Sequence, residues 1–158
     1  MKNPRALLIT IGVLAGFISG TLLGILLAVG IVHVKSLDRS LMPWIISSQT
    51  IPILALAPIL VVVAFNLLTG QLHASTDVSR FVAKALISTY LSFFPVTVGM
   101  VKGLRSPSPI NLDLMRTYSA SRAQVFWKLR LPASLPFLFT SMKVGIAASL
   151  VGAIVAEL

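Results

Sequence analysis

From Ala6 to Val32 the chain carries no charged residue. A helix of that length reaches about 40 Å, against a bilayer hydrocarbon core of about 30 Å. The stretch can therefore cross a membrane. It is too long for the apolar core of a secretory leader, and no small-x-small cleavage site follows it closely. Composition extends the inference to the whole chain. Of 158 residues, 56% are hydrophobic and 11% charged, and mean hydropathy is +0.96. A soluble domain carries roughly 25% charged residues, so charge cannot cover a globule of this size.

Three more apolar stretches follow, giving spans at about 6–32, 41–68, 81–101 and 133–156. The fold expected is an all-α, polytopic transmembrane helical bundle. Thirteen Lys and Arg against four Asp and Glu give a net charge of +9. In a chain this apolar, such a bias marks the cytoplasmic face of a membrane protein rather than a nucleic-acid surface. Cysteine is absent and the two histidines, His33 and His73, lie far apart. Disulfides, thiolate chemistry and a metal centre are not expected.

Orientation follows from the segment 102–132, where six basic residues face one acid, Asp113. By the positive-inside rule this loop is cytoplasmic. Alternation then places the Lys35–Arg39 connection inside and the Gly70–Arg80 connection and both chain ends outside. Arg80 and Lys84 run against the bias and can snorkel to the outer headgroups. Outside ends, and a stop directly after a span, suggest a piece of a longer bundle with at least one helix missing on each side.

Within the first span Gly12, Gly16, Gly20 and Gly24 recur every four residues, with Ala28 next in register. Small residues at that interval let a neighbouring backbone approach closely. In the second span Gln49 and Thr50 precede Pro52 and Pro58, interrupting the backbone ladder near mid-membrane. Such breaks persist where protein or a water-filled cavity satisfies the freed groups. These four are candidates for a pathway or gate, with a kinked packing helix as the equal alternative. Lys143, inside the fourth span, reads as snorkelling toward the cytoplasmic headgroups. Trp44 reads as an interfacial anchor.

The basic loop has its own helical punctuation. Ser108-Pro109 supplies an N-cap with proline at the first helical position. Ile110, Leu114 and Tyr118 then share one face, and Asp113, Arg116 and Thr117 the other. Ser121 and Gln124 form the S-x-x-Q pattern that opens a second helix. On it Val125, Phe126 and Leu129 fall together, and Pro132 marks its end. Two short amphipathic helices at a membrane surface suit a docking element; a lipid-binding hairpin is the competing reading.

The run Asp113-Leu114-Met115-Arg116-Thr117-Tyr118-Ser119, followed by Leu129-Arg130-Leu131-Pro132, resembles the EAA loop of binding-protein-dependent ABC importer permeases. That family's pattern is roughly E-A-A-x-x-x-G and later I-x-L-P. Asp113 falls on the glutamate and Ser119 on the glycine, where positive φ comes less freely to serine. Phe93-Phe94-Pro95-Val96, Gly103-Leu104-Arg105-Ser106 and Gly152-Ala153-Ile154-Val155-Ala156-Glu157 are similar to the nitrate, sulfonate, taurine and pyrimidine-precursor branch.

The resemblance implies that the loop couples the permease to a cytoplasmic ATPase, with Asp113, Ser119, Ala120, Arg122, Phe126, Leu129 and Pro132 as its coupling residues and Phe126 entering the ATPase cleft. It further implies a second permease copy as homodimer partner, an extracytoplasmic substrate-binding protein, and a place in the bacterial inner membrane. The expected function is to pass a small organic or oxyanionic solute across the bilayer. No G-x-x-x-x-G-K-[ST] occurs, so no cofactor is expected on this chain and ATP belongs to the partner. The competing classes are a membrane scaffold or lipid-binding protein and a membrane-embedded enzyme. The scattering of Asp38, Asp77, Asp113 and Glu157 speaks against the enzyme.

Overall fold

The computed structural model describes residues 4–48, 59, 62, 63, 66, 67 and 76–155. They form α1 (Pro4–His33), α2 (Lys35–Ser48), α3 (Thr76–Leu104), α4 (Pro109–Thr117), α5 (Arg122–Val125), a π-helical turn (Phe126–Arg130) and α6 (Leu131–Val155). No strand occurs among the described residues. Three helical runs are long and apolar enough to cross a membrane: Thr10–His33, Phe81–Leu104 and Arg122–Val151. Of the span expected at 41–68, the part to Ser48 belongs to α2. Gln49, Thr50, Pro52 and Pro58 lie outside the described residues.

The bundle is organised around α3, which packs along α1 on one side and α6 on the other, while α1 and α6 touch only lightly. At one end Ala28 and Ile31 from α1, Ile45 from α2, and Met100, Val101 and Leu104 from α3 close a fully apolar cluster. Lipid gives helices little hydrophobic reason to associate, so hydroxyls and close packing carry more of the work. The Ser88 hydroxyl donates to the Val13 carbonyl at 2.8 Å, and the Ser92 and Ser149 hydroxyls meet at 2.8 Å between α3 and α6. Ser19 and Thr89 meet at 2.8 Å between α1 and α3. Each such bond contributes about 0.6 kcal/mol, at most about 1.7.

Helix boundaries depart from the sequence reading in two places. Lys35–Arg39 is not a connecting loop but the first part of α2, and Val34 alone is non-helical. Backbone bonds run across this elbow, from the Val34 N–H to the Gly30 carbonyl (2.9 Å) and from the Asp38 N–H to the Val34 carbonyl (3.2 Å). Two backbone bonds thus tie the helices on either side of the turn together. Asp38, in the first turn of α2, complements the helix dipole. It also pairs with Arg105 beyond α3 at 2.8 Å, which sets these two connections at the same end of the bundle.

The second departure is Pro132. It does not end a short helix: Arg122 to Val155 is one uninterrupted helical run. In an α-helix the proline ring would collide with the carbonyl four residues back, at Lys128. The π turn just before it relieves that clash, with the Leu131 N–H reaching five residues back to the Phe126 carbonyl.

Candidate functional site

The segment between α3 and α6 folds as a capped hairpin. The Ser108 side chain accepts from the Asn111 N–H at 3.4 Å, and Pro109 occupies the first turn of α4. At the far end the Ser119 N–H donates to the Arg116 carbonyl (2.8 Å) and the Ala120 N–H to the Met115 carbonyl (3.0 Å). This is the paired bonding of a Schellman cap, whose turning residue lies in the left-handed region. That residue is Ser119, with φ 52°, and it alone among the described non-glycine residues has a positive φ. Serine thus adopts the conformation that suits glycine, at a cost of about 1 kcal/mol.

The second helix opens with a reciprocal capping box. The Ser121 N–H donates to Gln124 Oε1 at 2.8 Å, and the Gln124 N–H donates to Ser121 Oγ at 3.3 Å. Ala120 precedes this box and Arg122 lies within it, at the apex of the hairpin. Asp113 and Arg116 pair on the surface of α4 at 3.0 Å, and the Thr117 hydroxyl donates to the Asp113 carbonyl.

The hairpin's two apolar surfaces have opposite fates. Ile110 and Leu114 of α4 and Tyr118 at its C-cap are 79%, 52% and 75% exposed, and Trp127 is 65% exposed. Nothing in the described bundle covers them. Phe126 turns the other way: its ring stands edge-on to His33 at the end of α1, with centroids 5.2 Å apart, and packs on the apolar cluster of the bundle. The His33 ring is itself held by a 2.8 Å bond between Nδ1 and the Val29 carbonyl. Val125 and Leu129 are half-buried, while Pro132 is exposed. Phe126, expected at a partner's cleft, has its described contacts on the chain's own bundle. An aromatic ring on an amphipathic helix seeks whichever apolar surface is nearest, and here that surface is the chain's own bundle.

Gly12, Gly16, Gly20 and Gly24 lie along the α1 surface that meets α3. A methyl group on Gly16 would press into the Ala85 carbonyl and stand 2.6 Å from Ser88 Cβ. On Gly20 it would stand 2.5 Å from the Thr89 carbonyl oxygen, and on Gly24 3.0 Å from that of Phe93. At Gly12 the nearest atom, in the Phe81 ring, is 3.3 Å away. Approach is thus tightest in the middle of the contact. A second close approach, between α3 and α6, escaped the sequence reading. It sets Gly99 against Ser141 and Gly103 against Ser134, where an added methyl would lie 2.8 Å from Ser134 Cα. The four-residue spacing of Gly99 and Gly103 was the available signal. Lys143 is exposed on α6, and Trp44 is exposed on α2.

Comparison with known proteins gives this geometry a lineage. The chain is 32% identical to the formylaminopyrimidine transport permease protein of Halalkalibacterium halodurans, over 90% of this chain and 52% of that protein. It is 27% identical to a riboflavin transport system permease protein of Chloroflexus aurantiacus, over 79% and 42% respectively. It is 28% identical to the nitrate import permease protein of Leptolyngbya laminosa, over 95% and 48%. The chain spans about half the length of the curated relatives it matches. No solved structure matches it. Residues 20–158 match the description binding-protein-dependent transport system inner membrane component. Three bilayer-length helices, a capped hairpin between two of them and this match together make the chain a member of that inner-membrane transport family.

Proposed function

We propose that the chain forms part of the permease subunit of an ABC importer that passes a small organic or oxyanionic solute through the bilayer. The observation that carries this reading is the exposed apolar surface of Ile110, Leu114, Tyr118 and Trp127 on a hairpin whose backbone is capped at every turn. A rigid, apolar, membrane-flanking element of this kind suits insertion into a cleft of a separate ATPase, which holds the ATP. Within it, Asp113 and Arg116 brace the face of α4, and Ser119 and Ala120 make the turn. Arg122 contributes charge at the apex. Phe126 and Leu129 seat the hairpin on the bundle, and the π turn before Pro132 joins it to α6.

Because that second helix continues into α6 without a break, displacement of the hairpin by the ATPase is carried directly into a membrane-spanning helix. The glycine contact between α1 and α3 makes those two helices move as one body. An extracytoplasmic binding protein delivers the solute, and a second permease copy completes the pathway. The relatives' names carry a formylaminopyrimidine, riboflavin and nitrate, which supports a small polar molecule or ion as the solute. Co-purification tests the proposal. The wild-type subunit should retain an ATPase in mild detergent, and Leu114→Asp should release it. An intact complex with Leu114→Asp would show that the exposed surface is not the contact.

A further inference from the structure

Where the hairpin folds back on the bundle it leaves a half-open cavity of about 460 Å³. Three arginines, Arg116, Arg122 and Arg130, line it together with His33. No acidic side chain is among its lining residues. Asp113 pairs with Arg116 from outside. Arg122 and Arg130 make no ion pair among the described residues. Guanidinium groups stay protonated at any physiological pH, so the cavity holds about two uncompensated positive charges.

Its position is equally informative. Val32 and His33 close the membrane-length run of α1, and Arg130 immediately precedes α6. The cavity therefore sits at the level where two spans leave the hydrocarbon. Val32, Val125 and Phe126 supply an apolar wall beside the arginines. A basic, headgroup-sized cavity with one apolar side, opening between helices at the membrane surface, has the chemistry of a phosphodiester site. The arginine fork matches phosphate oxygens two at a time.

We propose that this cavity binds the headgroup of one anionic phospholipid of the cytoplasmic leaflet, with Arg122 and Arg130 as its principal contacts. The inference is independent of the hairpin's docking to an ATPase. It requires only that the bundle sit in a bilayer.

Native mass spectrometry of the full-length protein, in micelles doped with either phosphatidylglycerol or phosphatidylcholine, tests it. The wild type should retain one phosphatidylglycerol with about thirty-fold preference over phosphatidylcholine, in line with about 1 kcal/mol for each of two basic residues near a membrane surface. The pair Arg122→Gln and Arg130→Gln should remove that preference, whereas the pair Arg122→Lys and Arg130→Lys, which keeps the charge, should hold most of it. Arg122→Gln alone, at an exposed position, should lower it about five-fold and serves if the double variant does not fold. Lys102→Gln, an exposed basic residue that does not line the cavity, should leave it unchanged. Preference that survives the glutamine pair, or falls equally with Lys102→Gln, overturns the proposal. Displacement of the lipid by equimolar inorganic phosphate overturns it too, by showing a free-anion site.

Discussion

The Phe126 ring meets His33 edge to face, at 5.2 Å between centroids and 63° between planes. This contact ties the second helix of the hairpin to the end of α1 and fixes which side of the hairpin is left facing outward. Phe126→Asp should therefore act first on the bundle. Replacing a half-buried aromatic with a carboxylate should cost about 2–3 kcal/mol, read as a lowered unfolding temperature in detergent before any partner is added. An unchanged unfolding temperature would mean the ring does not hold the hairpin in place.

Ile110 gives the cleaner probe of docking. It lies in the first turn of α4, where a carboxylate is favoured by the helix dipole, and its side chain is exposed. Ile110→Asp should leave thermal stability within about 0.5 kcal/mol of wild type, while ATPase retention and uptake are lost. Full uptake by this variant would remove α4 from the contact.

Ser119 carries a backbone conformation better suited to glycine. Ser119→Gly should stabilise the hairpin by about 0.5–1 kcal/mol. Ser119→Val, with branching at Cβ, should destabilise it by more than that. Hydrogen exchange at the Ser119 and Ala120 amides, which donate the two cap bonds, is the direct measurement: slower for glycine, faster for valine.

The glycine contact predicts a graded series. Gly16→Ala and Gly20→Ala place a methyl against α3 backbone and should each cost about 1–3 kcal/mol. Gly12→Ala meets the Phe81 ring at 3.3 Å and the Phe81 carbonyl at 3.4 Å, a looser contact, and should cost less. Leu23→Ile, at an exposed position on α1, should be nearly neutral. Equal effects at Gly12 and Gly20 would show that the close approach is not what limits stability.

Charge bias also predicts orientation. A cysteine replacing Ser106, which is exposed just beyond α3, should react with an impermeant thiol reagent only after the cytoplasmic face is opened. Labelling in intact cells would invert the topology.

What could be read from residue order alone depended on how local its cause was. The Ser108 cap and the Ser121–Gln124 box are satisfied within three residues, so their sequence pattern is close to their structure. Apolar stretches likewise located α1, α3 and α6, because bilayer thickness dictates length. Pro132 misled because the local rule says that proline stops a helix. The π turn that accommodates it draws on seating of the whole hairpin, including Phe126. The direction of Phe126 was equally hidden. Its spacing with Val125 and Leu129 shows that a face is apolar but not which surface will cover it. Lys35–Arg39 read as a loop on charge, yet two backbone bonds span the elbow at Val34 and the residues after it are helical.

The close approach of Gly103 to Ser134 has a mechanical corollary. From Ser134 back to Arg122 the continuous helical rod measures roughly 18 Å, and from Ser134 onward to Val155 roughly 32 Å, at 1.5 Å per residue. α3 holds this rod again at Ser141 and at Ser149, so a push at the hairpin turns α3 and α6 together rather than swinging α6 alone.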